Sequence, residues 1–173
     1  GTLRRHAQSL EAIVSALPGL PAATEWPGWN EYDSEAVVRA VHAGPAPPAT
    51  TPEAYRQHFR LLRSGLEQWM AGTAQPQGMP SWPTFVAGVS SALDHVRTSF
   101  GGNVLLVSSG GPIATAVAHV LGAPPAAVIE LNLRIRNSAL TEFAFTPKRH
   151  MLVSYNTVPH LDHPERAGWV TYT

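Results

Sequence analysis

Residues 103–122 read NVLLVSSGGPIATAVAHVLG, and how this stretch is taken decides the fold of the whole chain. Four consecutive apolar residues, 104–107, suit a strand buried on both faces, and the small residues 108–111 break it with a turn. A helix is expected at once. Pro112 sits where a missing N–H is not needed, Ile113, Ala116, Val117, Val120 and Leu121 recur at helical spacing, and Gly122 serves as C-cap. Strand, turn and helix joined this tightly aim several backbone N–H groups, and the positive end of the helix, at one point beyond the strand. That point suits a phosphate-sized anion, although a Ser-Gly-Gly turn also serves simply to let a helix pack close to a strand.

The frame around this stretch is ordinary. A chain of 173 residues with 44% apolar content fits one domain, residues 1–173, with a sizeable core. Twelve basic and twelve acidic side chains cancel, so no general attraction to nucleic acid or an acidic membrane is expected. The absence of cysteine removes disulfides, thiol nucleophiles and thiolate metal sites. No apolar run is long enough to span a bilayer and the start, GTLRR, has no signal-peptide core, so a cytoplasmic protein is expected. Prolines and glycines cluster at 44–52, 72–83 and 123–125, which read as surface connections.

Between those connections the pattern is helical before residue 103 and mixed after it. Leu3, Ala7, Leu10, Ile13, Val14 and Leu17 mark one face of a first helix ended by Pro18-Gly19. Residues 25–33, EWPGWNEYD, form an irregular stretch whose plain reading is a loop with aromatic anchors. Asp33 or Ser34 then caps a short helix carrying Val37, Val38 and Val41. Thr50-Thr51-Pro52-Glu53 reads as a capping box before a helix with Tyr55, Phe59, Leu62, Leu66 and Trp69, whose charges Arg56, Arg60, Arg63 and Glu67 read as a solvated face. Phe85, Val89, Leu93, Val96 and Phe100 mark a further helix. Past Gly122, the alternation over 129–136 predicts an extended segment, and 140–145 with 151–156 predict two strands joined as a hairpin through 146–149. The expected fold is α/β, three-layered, with a mostly parallel sheet, an antiparallel edge strand and helices on both faces.

Two chemistries are open on residue type alone. His160, Asp162 and His163 lie close together in sequence, but adjacent loop positions rarely converge on one ion and no second cluster completes a tetrahedral site. Ser108 and Ser109 sit at a strand-to-helix turn as a hydrolase nucleophile does. Leu106 and Val107, however, stand where the sharp turn needs its first glycine.

Three stretches taken together carry a resemblance: residues 3–12 (LRRHAQSLEA), 29–33 (WNEYD) and 107–111 (VSSGG). In this order, with a helix-rich insert between them, they resemble the histidine phosphatase superfamily, also called phosphoglycerate mutase-like. That family's early S-x-L-x-R-A-x-x-T-A motif places Arg5 at its phosphate-binding arginine, with His6 for the usual alanine and Ser9 for threonine. Its L-x-E segment places Glu31 at the acid that protonates the leaving oxygen. The resemblance runs on to the N-x-x-x-H stretch of residues 156–160 and a last short strand near 170–172.

What the resemblance implies is a phosphate-monoester hydrolase or phosphotransferase acting through a phosphohistidine. Its partner would be a small phosphorylated substrate or inorganic phosphate, with no cofactor and no metal. Arg5 would clamp phosphate, Glu31 would be catalytic as proton donor, and Ser109 with the Gly110 and Gly111 N–H groups would hold phosphoryl oxygens. A non-catalytic relative that binds a phosphorylated ligand or a protein partner is the alternative. Two departures bear on this. No Arg-His-Gly, the family's nucleophile motif, occurs in the chain, so its strand is expected in a preceding segment and these 173 residues alone are expected to be inactive. Where the family has a second histidine in V-S-H-G-G, this chain has Ser109, and loss of one preorganised donor at such a site costs on the order of 10²–10³ in rate.

Overall fold

The computed structural model describes residues 1–42, 44 and 51–172. Its elements in order are α1 (Arg4–Ala16), a 3₁₀ turn (Pro27–Trp29), α2 (Ser34–Val41), α3 (Pro52–Ala71), α4 (Trp82–Ser99), α5 (Gly110–Leu121), α6 (Pro125–Asn132), β1 (Leu140–Thr146) and β2 (Arg149–Thr157), then two 3₁₀ turns. The chain forms two compact units, one of residues 1–31 with 87 onward and one of residues 32–86.

In the unit of residues 32–86, α2 and α3 pack together where Gly65 leaves room. A Cβ there would meet Val37 Cγ1 at 2.6 Å, so the two backbones come closer than any other residue allows. Asp33 caps α2 by accepting from the Ala36 N–H at 2.9 Å. The cap of α3 is Thr51, which accepts from the Ala54 N–H, one position after the start of the expected box; Glu53 pairs with Arg56 instead of reaching back. Thr50 lies outside the described residues. Leu62, Leu66 and Trp69 are buried as the spacing requires, and Arg56, Arg60 and Glu67 are exposed.

The unit that carries the sequence-predicted site is built on α5. Every residue from Gly110 to Ala118 is buried except half-buried Ile113, and Gly122 ends the helix in the left-handed conformation with its N–H on the Ala118 and His119 carbonyls. Helix α6 and strand β2 pack against α5. A Cβ on Gly110 would meet Asn132 Oδ1 at 2.5 Å and Ile135 Cγ2 at 2.8 Å, so the glycine is required for the end of α6 to come this near. Tyr155 ties the hairpin to α6 by donating to the Leu131 carbonyl at 2.7 Å, and burial pushes its phenol up to about 12.

The hairpin forms as predicted: β1 and β2 pair antiparallel through a two-residue connection, with Phe143 opposite Leu152 and Phe145 opposite His150, and with irregular register near Glu142. Two other expectations are corrected. Residues 104–107 are extended but belong to no ladder among the described residues, and Leu105 and Leu106 are 52% and 40% exposed. Apolar character favours an extended run, whereas a strand also needs a neighbour, and the described sheet has two strands only, paired with each other. The mostly parallel sheet is therefore not found among the described residues.

Residues 129–132, expected to be extended, are helical. Pro125 occupies the first position of α6 with φ preset for a helix, Ala126 and Ala127 follow, and this start outweighs the short alternation beyond it. The segment near 170–172 contributes a single bridge, Arg136 to Tyr172, rather than a strand. No described helix is long and apolar enough to cross a membrane.

Candidate active site

Three short segments are stitched together at the start of α5. The irregular stretch after residue 25 is anchored on α4: Trp29 Nε1 donates to the Val89 carbonyl at 3.0 Å, and the Trp26 indole stacks on His95 with centroids 5.0 Å apart. Gly28 and Gly88 allow this approach, since a Cβ on Gly28 would lie 2.6 Å from the Gly88 carbonyl oxygen. Asn30 then holds residue 2 from both sides, accepting from the Thr2 N–H at 2.6 Å and donating to the Thr2 hydroxyl at 2.8 Å. Ser108 donates to the Trp29 carbonyl at 2.8 Å. The plain reading of the aromatic stretch as an anchored loop is thus what the packing shows, and the anchors fix the position of Glu31.

The three sequence-predicted side chains and two backbone groups lie along that seam. Arg5 Nε donates to Ser109 Oγ at 2.9 Å across 104 positions of sequence, and the Gly111 N–H donates to a Glu31 carboxylate oxygen at 3.0 Å. Ser109 is the N-cap residue of α5, yet its hydroxyl makes no capping bond and turns to α1 instead. Gly110 sits in the first turn, where its missing side chain answers the approach of Asn132 as well as any ligand. Glu31 therefore lies where an anion is favoured, at a helix N-terminus.

One residue enters the site without having been singled out for a role. His6 is 3% exposed, and its Nε2 lies 2.6 Å from the same Ser109 Oγ that Arg5 reaches. Its Nδ1 is buried with no hydrogen-bond partner among the described residues. Burial, with the Arg5 guanidinium nearby, lowers the imidazole to about 4, so it is neutral at pH 7. The signal available in the sequence was a coincidence of departures: the residue that replaces alanine and the one that replaces histidine are the two ends of one hydrogen bond.

The neutral His6 makes stability depend on pH with a definite sign. The unfolded ring takes a proton near 6.5 and the folded ring only near 4, so between those values the unfolded state binds more protons and stability falls as pH falls. Denaturant titrations of the parent and of His6→Gln from pH 7 to 4 should diverge over this window, with a difference slope of up to about 1.4 kcal/mol per pH unit and the parent losing more. Parallel curves would show that the ring takes up its proton over the same pH range folded and unfolded, so that burial does not shift it.

Elsewhere in the unit, a cavity of about 660 Å³ is lined by residues that include Arg136, Thr157, Asp162 and His163. Asn156, at φ +56, holds Arg136 of that lining through both its side-chain oxygen and its carbonyl. Residues 5, 6, 31 and 109 do not line it, and the seam is the better candidate because a cation, an imidazole, a hydroxyl, a carboxylate and a helix N–H converge there. His160 Nε2 pairs with the Ser138 hydroxyl at 3.0 Å, and no group of three or more metal-ligating side chains occurs among the described residues.

A family model described as histidine phosphatase superfamily (branch 1) matches residues 1–158. Neither a search of curated proteins nor one of solved structures found a match.

Proposed function

We propose, from the premise that this chain belongs to the histidine phosphatase superfamily, that the intact protein hydrolyses or transfers a phosphate monoester at the seam between α1 and α5. The observation that carries the reading is the 2.9 Å hydrogen bond from Arg5 to Ser109, which sets a permanent cation beside the N-terminus of a well-packed helix. Arg5 clamps phosphoryl oxygens through the guanidinium nitrogens left over from Ser109. Ser109 and the Gly110 N–H hold the rest, while the Gly111 N–H holds Glu31. Glu31 passes its proton to the leaving oxygen, and a dianion arriving beside it favours the carboxyl form that this role needs. The histidine that takes the phosphoryl group is supplied from outside these 173 residues, which contain no Arg-His-Gly.

A second reading, phosphate binding without turnover, is favoured by one observation. The position at which relatives carry an imidazole carries a hydroxyl here, Ser109, which has no charge to offer a transferring group. Calorimetric titration with inorganic phosphate, paired with a steady-state assay on p-nitrophenyl phosphate, separates the two. The full-length protein should bind phosphate and turn over the aryl ester, and the 173 residues alone should not turn it over. Turnover by the 173 residues would remove the external histidine from the mechanism. Binding without turnover by the full-length protein would establish the second reading, and absence of binding would overturn both.

A further inference from the structure

We propose that His6 is a positioning residue that acts through Ser109, returning from α1 the imidazole that the chain does not carry at position 109, and that the pair presents an obligate hydrogen-bond donor to a phosphate oxygen. This deepens the phosphate reading above and rests on it.

The argument starts from the count of protons at Ser109. A hydroxyl has one donor and two acceptor positions, and Oγ already has two neighbours, Arg5 Nε at 2.9 Å and His6 Nε2 at 2.6 Å. Arg5 can only donate. The neutral ring has one N–H, on either nitrogen. If it were on Nδ1, a buried N–H would have no acceptor among the described residues, because Nδ1 has no partner there and the residue is 3% exposed. Burying an N–H with nothing to receive it is the arrangement that folded proteins avoid most strictly, whereas a buried lone pair is tolerated more readily.

The proton therefore sits on Nε2 and points at Ser109. Both acceptor positions of Oγ are then filled, by Arg5 and by His6, and its own O–H is turned away from both. A hydroxyl that receives two hydrogen bonds, one from a cation, is polarised as a donor. It also has no lone pair to spare, so it favours a ligand oxygen that only accepts. A phosphate dianion offers such oxygens and an alcohol does not. The sequence carries the same pairing: histidine stands at 6 where the related motif has alanine, and serine stands at 109 where it has histidine. Either change alone would leave a void or a surplus ring at one place, and together they fill it.

The test uses the full-length protein with inorganic phosphate as the probe, read by calorimetry, and the ring nitrogens of His6 read by ¹⁵N NMR at pH 7. The expected NMR result is the tautomer protonated on Nε2. His6→Ala should weaken phosphate binding roughly two- to tenfold, although His6 does not touch the ligand, and should have no further effect in a Ser109→Ala background. His6→Gln, whose amide can donate to Oγ, should retain most of the affinity, which a simple loss of packing would not explain. It also keeps the test decisive should the alanine variant fail to fold. The double variant His6→Ala with Ser109→His should recover the parent affinity or exceed it.

A ring protonated on Nδ1, or additive effects of His6→Ala and Ser109→Ala, would overturn the relay while leaving the phosphate reading intact. A parent that binds no phosphate overturns both, and the tautomer then says whether the hydrogen-bond assignment itself was right.

Discussion

Trp69→Ala should cost about 3–5 kcal/mol of stability, the range for removing a fully buried large aromatic side chain. Trp69 is 1% exposed at the end of α3, with Trp82 and Phe85 edge-on at 5.2 and 5.4 Å and Tyr32 at 6.0 Å, so its indole is the common neighbour of three rings. Its Nε1 also donates to the Pro80 carbonyl at 3.0 Å, which pins the connection between α3 and α4. Trp69→Phe separates these contributions. It keeps most of the ring contact and leaves the Pro80 carbonyl without its donor, so it should cost much less than alanine, with about 1 kcal/mol of that from the lost bond. Chemical denaturation of both variants, with tryptophan fluorescence replaced by circular dichroism as the probe, gives the two numbers. Near-equal losses would mean that the hydrogen bond and not the ring cluster holds this unit together.

The helix faces behind that prediction were legible because a period near 3.6 repeated over many turns: Leu62, Leu66 and Trp69 on α3, and Phe85, Val89, Leu93 and Val96 on α4, are buried where the spacing put them. The hairpin was legible because two strand-like runs, 140–145 and 151–156, flank a proline-containing turn. What failed were the short runs. Residues 104–107 are apolar enough for a buried strand, but pairing is a property of two segments, and periodicity reads only one of them. Residues 129–136 alternate over too few positions to outweigh a helix started by Pro125.

The site divides along the same line. Arg5, Glu31 and Ser109 were found through short motifs in a fixed order, and the structure brings them to one seam. His6 was visible only as a departure from a motif, because its meaning is a contact with a residue 103 positions away that no local pattern records. The hydrogen bond from the Gly111 N–H to Glu31 was equally invisible: the sequence offered Glu31 as a proton donor and the Gly111 N–H as a phosphate ligand, and the fold pairs them with each other.

That pairing frames the larger functional prediction. In the full-length protein Glu31→Gln should lower kcat about 10²- to 10⁴-fold on an alkyl phosphate, the range for removing a positioned general acid. The amide oxygen of glutamine still accepts the Gly111 N–H, so the local geometry is preserved while the transferable proton is lost. The size of the loss should depend on the leaving group. An alkoxide is a strong base that must be protonated as the P–O bond breaks, whereas p-nitrophenolate departs without help, so the same variant should lose far less on p-nitrophenyl phosphate. Phosphate affinity should hold or rise, because a negative charge beside the anion has been removed. The measurement is kcat for both esters in parent and variant, with calorimetric phosphate binding alongside. An equal loss on the two esters would assign Glu31 to holding the N-terminus of α5 in place rather than to proton transfer. No loss on either would remove it from the chemistry and leave its carboxylate as a cap of that helix.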